Sequence, residues 1–260
     1  MLYFIYFIIC IIKILNAIIV ESENDLINNL SESYSSITLN INSEIDITND
    51  ININNSIKII YIIGNTLDSA ILNLKYPLYF GSSIEEIKIK NVNINGNLFF
   101  KKSDKKITID TVNLNGYIDS DINESNNNYI EITNFNYKPT EISMENCINL
   151  SGNIKISKSN FFGNSSCRNR LLHYNGFKKY ELDIKESNFN GEYKCPFLSI
   201  ENALSANIET SYFEEGYSSK NIDGGYITIK EKLLLIKYII IIIINVVIKF
   251  FFLHIFIIYK

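Results

Sequence analysis

A repeat limits what this chain can fold into more than any other feature. From residue 87 a ten-residue unit recurs: two apolar positions in alternation, a pair of linking residues, one further position, an Asn, an apolar residue and, after one more residue, often a closing Gly. The first two copies read Ile87-Lys88-Ile89-Lys90-Asn91-Val92-Asn93-Ile94-Asn95-Gly96 and Ile107-Thr108-Ile109-Asp110-Thr111-Val112-Asn113-Leu114-Asn115-Gly116. Later copies begin at Ile130, Ile154, Leu182 and Ala206, at spacings of 20, 23, 24, 28 and 24 residues. The third position is Ile in all six copies: Ile89, Ile109, Ile132, Ile156, Ile184 and Ile208. The eighth runs Ile94, Leu114, Tyr137, Phe161, Phe189 and Phe213. The seventh is Asn93, Asn113, Asn136, Asn160 and Asn188, failing only at Tyr212. Asn is about a seventh of the chain, so five matches in six copies arise by chance about once in several thousand trials. Composition alone does not account for the pattern.

Strict alternation marks short strands with one buried face. One unit cannot bury that face alone, whereas units stacked at strand spacing form continuous internal columns. The Asn column suits the same geometry, since an amide tolerates left-handed backbone angles and can hydrogen-bond to the next copy. The closing Gly marks a turn that needs unusual backbone angles. The expected fold is all-β, a parallel β-solenoid. Similar alternation in Ser36–Ile41, Ile45–Ile47, Ile51–Ile53 and Ile57–Gly64 supplies the first coils. Leu26, Ile27 and Leu30 fall at helical spacing and predict a short helix that caps the open end.

Ser159-Asn160-Phe161-Phe162-Gly163-Asn164, Ser187-Asn188-Phe189-Asn190-Gly191-Glu192 and Asp223-Gly224-Gly225-Tyr226-Ile227 resemble right-handed parallel β-helix proteins of the pectin-lyase-like superfamily. Within it they are similar to the repetitive surface-protein and adhesin branch, whose repeats pair an F-x-x-N tetrapeptide with a GG-A-hydrophobic one. Phe161 to Asn164 fits the first; Gly224-Gly225 fits the second only in its glycines, because Tyr226 replaces the alanine. The resemblance covers about residues 36 to 230 and implies a right-handed parallel β-helix. It speaks for fold rather than activity.

Both ends are apolar. Residues 2–20, interrupted by Lys13 and Asn16, give way to Glu21-Ser22-Glu23, the shape of a signal peptide cleaved after Ala17, with an uncleaved anchor as the alternative. Residues 238–248 and 250–259, flanking Lys249, are almost wholly apolar, with Asn245 and His254 as exceptions within them. One midspan Lys costs about 3 kcal/mol against roughly 0.3 to 0.6 gained per Ile, Leu or Phe, so the tract is expected to form an apolar membrane helix over 233–259. A low-complexity tract and a removed lipid-anchor signal near Gly224 are the other readings. The expected organisation is a signal helix over 1–20, a cap over 21–35, a parallel β-helix over 36–232 and a C-terminal apolar helix over 233–260. Secretory-pathway and cell-surface placement follows.

A net charge of −4 with only two arginines excludes the basic footprint of a nucleic-acid binder. Lyases and hydrolases of the resembling superfamily need clustered carboxylates with a base, or paired acids. Asp119, Asp121 and Asn123 copy the first three ligand spacings of a calcium loop, yet Glu124 stands where Gly is needed and Ile130 where the bidentate Glu is needed. Arg168, Arg170 and His173 form the one cluster suited to an anion or to proton transfer, with no carboxylate beside them in sequence. The run from Lys101 to Lys106 reads as a solvated turn. Sequons at Asn29, Asn54, Asn123, Asn149 and Asn164 are glycosylation candidates, Asn123 and Asn164 foremost because they fall in loops. Cys167 and Cys195 both lie 13 residues after a coil start and are expected to stack within disulfide reach, with Cys147 buried alone. No cofactor is expected. The functional expectation is a non-catalytic surface solenoid for adhesion or for binding glycans or cell-surface proteins, with a polysaccharide lyase or hydrolase as the alternative.

Overall fold

Alternation along Glu86–Asn95 and Lys106–Asn115 puts Ile87, Ile89, Val92 and Ile94 inward in one coil and Ile107, Ile109, Val112 and Leu114 inward in the next, all essentially buried. Strict period-2 alternation cannot do this over nine residues, because inward positions one, three, six and eight change phase midway. The chain resets its phase with a single left-handed residue at position five: Asn91, Thr111, Asn134, Lys158, Glu186 and Thr210 all have φ between 49° and 56°. The expectation placed left-handed angles at the seventh-position Asn. That Asn lies within regular strand, and the bend sits two residues earlier.

The computed structural model describes residues 17–101, 104–121, 124, 127–141, 144–216, 227–230, 235–242 and 256–258. The described residues form a parallel β-solenoid of about eight turns. Glu86–Asn95, Lys106–Asn115, Tyr129–Lys138 and Ser205–Glu214 are single strands bent at position five, and the coils from Ile154 and Leu182 break there into two shorter strands. A second sheet, from Leu78–Phe80 onward, forms an opposing face, the short face. Both faces run parallel from coil to coil. Ile89 pairs with Ile109, then Ile132, Ile156, Ile184 and Ile208 in unbroken register. The eighth-position column is equally continuous from Ile94 to Phe213, and its last rings stack at 4.7 and 4.8 Å. These are the two internal columns the repeat predicts. Position six changes from Val92, Val112 and Phe135 to Ser159, Ser187 and Ser211, which are buried. Each hydroxyl donates to the carbonyl two residues before it, at 2.7 to 3.0 Å. Each accepts the backbone N–H of the preceding coil, at 3.2 to 3.3 Å. Both needs of a buried hydroxyl are met.

At the N-terminal end, helix Glu23–Ser31 begins at Ser22, whose hydroxyl accepts the Asp25 N–H, and buries Leu26 and Leu30 against the core as expected of a cap. Most of the expected signal segment, residues 1–16, lies outside the described residues. Ala17–Val20 is a strand parallel to Ser36–Ile41, with Val20 fully buried.

Two expectations are corrected. The apolar C-terminal tract does not form a helix where it is described: Leu235–Ile242 and Phe256–Ile258 are strands, the former parallel to Ser205–Glu214. An Ile-rich run extends readily as strand, and the open edge of the preceding coil offers it a ladder. No helix among the described residues is long and apolar enough to cross a membrane. The disulfide joins Cys147 to Cys167, with Cα atoms 5.2 Å apart, and leaves Cys195 as a buried free thiol. Equal offsets misled because the coil changes length around its perimeter. Phe162 pairs with Asn190, 28 residues on, but Leu172 pairs with Leu198, 26 residues on. The Cys195 sulfur consequently lies over Gly163, where a Cβ would come within 2.1 Å of it. Cys167 instead begins the short-face strand next to Met144–Ser151, which carries Cys147.

Candidate functional site

Beyond each bend, positions seven and nine point outward; Asn fills the seventh from Asn93 to Asn188 and the ninth at Asn95, Asn115 and Asn190. Asn113 Nδ2 donates to Asn93 Oδ1 at 2.6 Å, Asn136 to Asn113 at 2.9 Å and Asn160 to Asn136 at 2.8 Å. A second ladder runs beside it: Asn115 donates to Asn95 and Asn95 to Asn73, both at 2.7 Å. Asn73 in turn donates to Asp46 and Glu44. Parallel register is what permits this, since identical side chains recur at one sheet spacing of about 4.8 Å. A primary amide offers two N–H groups and two carbonyl lone pairs. An interior rung such as Asn95, Asn113 or Asn136 uses one of each, and so keeps one donor and one acceptor for a ligand, whereas Asn73 spends both N–H groups on carboxylates.

The ladders wall a cleft of about 430 Å³, lined also by Ile71, Tyr137, Lys138 and Phe162. A second cleft of about 360 Å³, lined by Asp46, Ile47, Thr48, Asn73, Leu74 and Lys75, meets it at Asn95. Together they line an elongated groove across successive coils, in which neutral amides are the commonest wall residues, with Asp46 and Lys75 toward one end and Lys138 at the other. The Asn93 series was legible as a repeat column. The second ladder was missed although Asn95 and Asn115 recur in the repeat units, because its first rung, Asn73, lies outside the repeat frame.

The short face carries the other candidates. Asp119, Asn149 and His173 occupy one column at successive rungs, a proximity the sequence did not reveal. Burial pushes the Asp119 carboxyl up, with the Asp121 N–H pulling the other way. Asn123 of the calcium candidate lies outside the described residues, among which no group of three or more His, Cys, Asp or Glu could hold a metal. Arg168, Arg170 and His173 sit on strand Cys167–Asn175. Arg170 is 5 % exposed and donates to the Asn169 carbonyl at 2.7 Å and to Thr228 Oγ1 at 2.5 Å. Its guanidinium thus bonds across the short face.

Lys105 departs from the solvated turn expected of its neighbours. It is buried and donates to the Gly81 and Ile84 carbonyls at 2.7 and 2.6 Å. Desolvation lowers its pKa to about 8, against the opposing pull of Glu85. The Cys195 thiol is pushed up to about 12 by burial, which disfavours its thiolate at neutral pH. Among the sequons, Asn164 lies in a loop as expected, its amide donating to the Pro139 carbonyl and its Oδ1 accepting the Ser166 N–H. Asn54 closes a similar turn onto Ser56, Asn29 is helical and donates to the Asp25 carbonyl, and Asn149 lies mid-strand.

No family model, no curated protein and no solved structure matches this chain.

Proposed function

We propose that the protein is a non-catalytic binding solenoid, of the pectin-lyase-like surface-protein type, that holds an extended hydroxyl-rich glycan along its amide groove and so serves adhesion. The carrying observation is the paired Asn ladder walling the cleft. Sugar hydroxyls are at once donors and acceptors, and the interior rungs Asn95, Asn113 and Asn136 each keep one group of each kind. Repetition at about 4.8 Å lets weak contacts add along a polymer. The predominantly neutral walls favour uncharged chains, and the protein's net charge of −4 disfavours polyanions. The Cys147–Cys167 bridge between adjacent coils suits an oxidising compartment and supports a secreted or membrane-anchored placement.

A second reading, a related lyase or hydrolase, draws on Asp119 and His173 sharing one short-face column. Affinity electrophoresis through neutral and uronic-acid polysaccharides, with product analysis, separates the two. Binding of a neutral polymer without product, weakened at least about tenfold in Asn113→Ala/Asn136→Ala, is the expected result. Product formation lost in Asp119→Ala or His173→Ala would replace this reading with the enzymatic one.

A further inference from the structure

Four Asn-Gly pairs occur in the solenoid, at 95–96, 115–116, 175–176 and 190–191. Packing demands the glycines. A Cβ on Gly116 would lie 1.8 Å from the Gly96 carbonyl oxygen, and one on Gly176 would lie 2.6 Å from the Ala203 Cα. Asn is needed at 95 and 115 by the ladder. The fold therefore joins the residue most prone to lose its amide to the residue that hinders the reaction least. In deamidation the glycine nitrogen, losing its proton, attacks the Asn Cγ. A new C–N bond forms, the Cγ–Nδ2 bond breaks and ammonia leaves with the proton. Water then opens the cyclic imide to aspartate or isoaspartate.

All four nucleophilic nitrogens are occupied. The Gly96 N–H donates to the Asn115 carbonyl at 2.9 Å, Gly116 to Lys138 at 2.9 Å, Gly176 to Glu201 at 2.8 Å and Gly191 to Glu214 at 3.0 Å. Each bond runs to the following coil, so attack requires that two coils separate locally. The electrophilic amides differ. Asn95 is held at both ends, by Asn115 and Asn73. Asn190 is held through Oδ1 by the Glu192 N–H and through Nδ2 by Glu214. Asn175 Oδ1 accepts the Phe177 N–H. Asn115 is exposed and ends its ladder, and its one side-chain bond among the described residues is the donation to Asn95.

We propose that these pairs are latent deamidation sites gated by the coil-to-coil hydrogen bond of each glycine, and that Asn115 is the site that converts first. Conversion would place a carboxylate inside the amide groove. The isoaspartyl product would also lengthen the backbone where Asn115 pairs with Lys138. This inference concerns the chemistry of the chain itself and stands whether or not a glycan binds.

The test is peptide mass spectrometry of the full chain aged at mildly alkaline pH, in buffer and in denaturant, following the gain of about 1 Da at each site. All four sites should convert at least about tenfold more slowly in the folded protein, with Asn115 leading the other three. Asn95→Ala removes the acceptor of the Asn115 amide and should accelerate conversion at Asn115, while 175 and 190 serve as internal controls for global unfolding. Equal rates in folded and denatured chain would overturn the gating. Any of the other three converting before Asn115 in the folded protein would overturn the ranking.

Discussion

The two outward flanks of each long strand share one backbone and one core, yet they solve the problem of stacked identical neighbours in opposite ways. Before the bend, outward positions carry charges that meet opposite ones: Lys90 pairs with Asp110 of the next coil at 2.9 Å, and Lys185 with Asp183 of its own strand and Glu209 of the next coil. After the bend, the seventh positions from Asn93 to Asn160 carry Asn bonded to Asn. A like charge repeated every 4.8 Å would repel itself, so the charged flank must alternate and its residues satisfy one another. An amide is its own complement and can repeat unchanged. Regularity, and with it a groove that presents the same contact at each step, is open only to the amide flank.

The largest expected difference lies where the amide flank ends. At that corner the coils approach so closely that Gly116 has no room for a methyl group. Gly116→Ala should cost about 3 kcal/mol, because backbone rather than a mobile side chain must yield. Gly81, also in a coil connection, has open space around it, with no heavy atom within 4 Å of where a Cβ would stand. Gly81→Ala should therefore change stability by less than about 0.5 kcal/mol. Denaturant midpoints of the two variants measure the contrast. Comparable losses would mean that the corner is no tighter than an ordinary turn.

The flanks themselves should differ by less. Asn113→Ala breaks two ladder bonds and strands partners on Asn93 and Asn136, an expected loss of about 2 kcal/mol that salt does not change. Lys90→Ala removes a partly exposed ion pair and should cost about 1 kcal/mol or less, vanishing in about 1 M salt. Burial alone would raise the Asp110 carboxyl, but hydrogen bonds from Lys90, Thr111 and Asn134 and the charge of Lys90 outweigh it and hold its pKa below 3.8. A depressed folded pKa stabilises above the unfolded value, and that contribution disappears as pH falls through the folded one. Melting temperatures below pH 3.8 should therefore drop less steeply in Asp110→Asn than in the wild type, while Asn113→Ala leaves the slope unchanged. A slope altered equally by both variants would erase the distinction.

How far the sequence revealed this architecture depended on what each column asks of a residue. Ile89 to Ile208 and Ile94 to Phe213 were readable because buried columns demand apolar side chains at a fixed step. Ser159, Ser187 and Ser211 recur as regularly, but a buried hydroxyl is satisfied by backbone from another coil, and that partner is invisible in sequence. Lys105 hides for the same reason, its burial offset by carbonyls more than twenty residues away. The Cys147–Cys167 pairing required knowing that one coil gains two residues on one side and loses them on another. Leu235–Ile242 is apolar but for Lys237 and shows no period from which to tell strand from helix. The amide groove was half legible: one ladder follows the repeat and the other enters it from Asn73.

The smallest expected effect concerns the bend that separates the flanks. Asn91 and Asn134 suit their left-handed conformation, whereas Thr111 and Thr210 are β-branched residues held at φ 56° and 50°. Such residues are more strained in this region than Asn is. Thr111 recovers part of that cost through its hydroxyl, which donates to Asp110 at 3.0 Å. Thr210 is exposed and lies between Glu209, paired with Lys185, and Ser211 of the serine ladder. Thr210→Asn should therefore stabilise the protein by about 0.5 to 1 kcal/mol, and Thr111→Asn by less. The gain should appear as a higher denaturant midpoint with an unchanged slope, the sign that the unfolded state and the overall burial are untouched. A loss of stability at position 210 would mean that the branched side chain is favoured there. The separation of charged from amide flank would then rest on the outward residues themselves rather than on a bend that any left-handed residue can make.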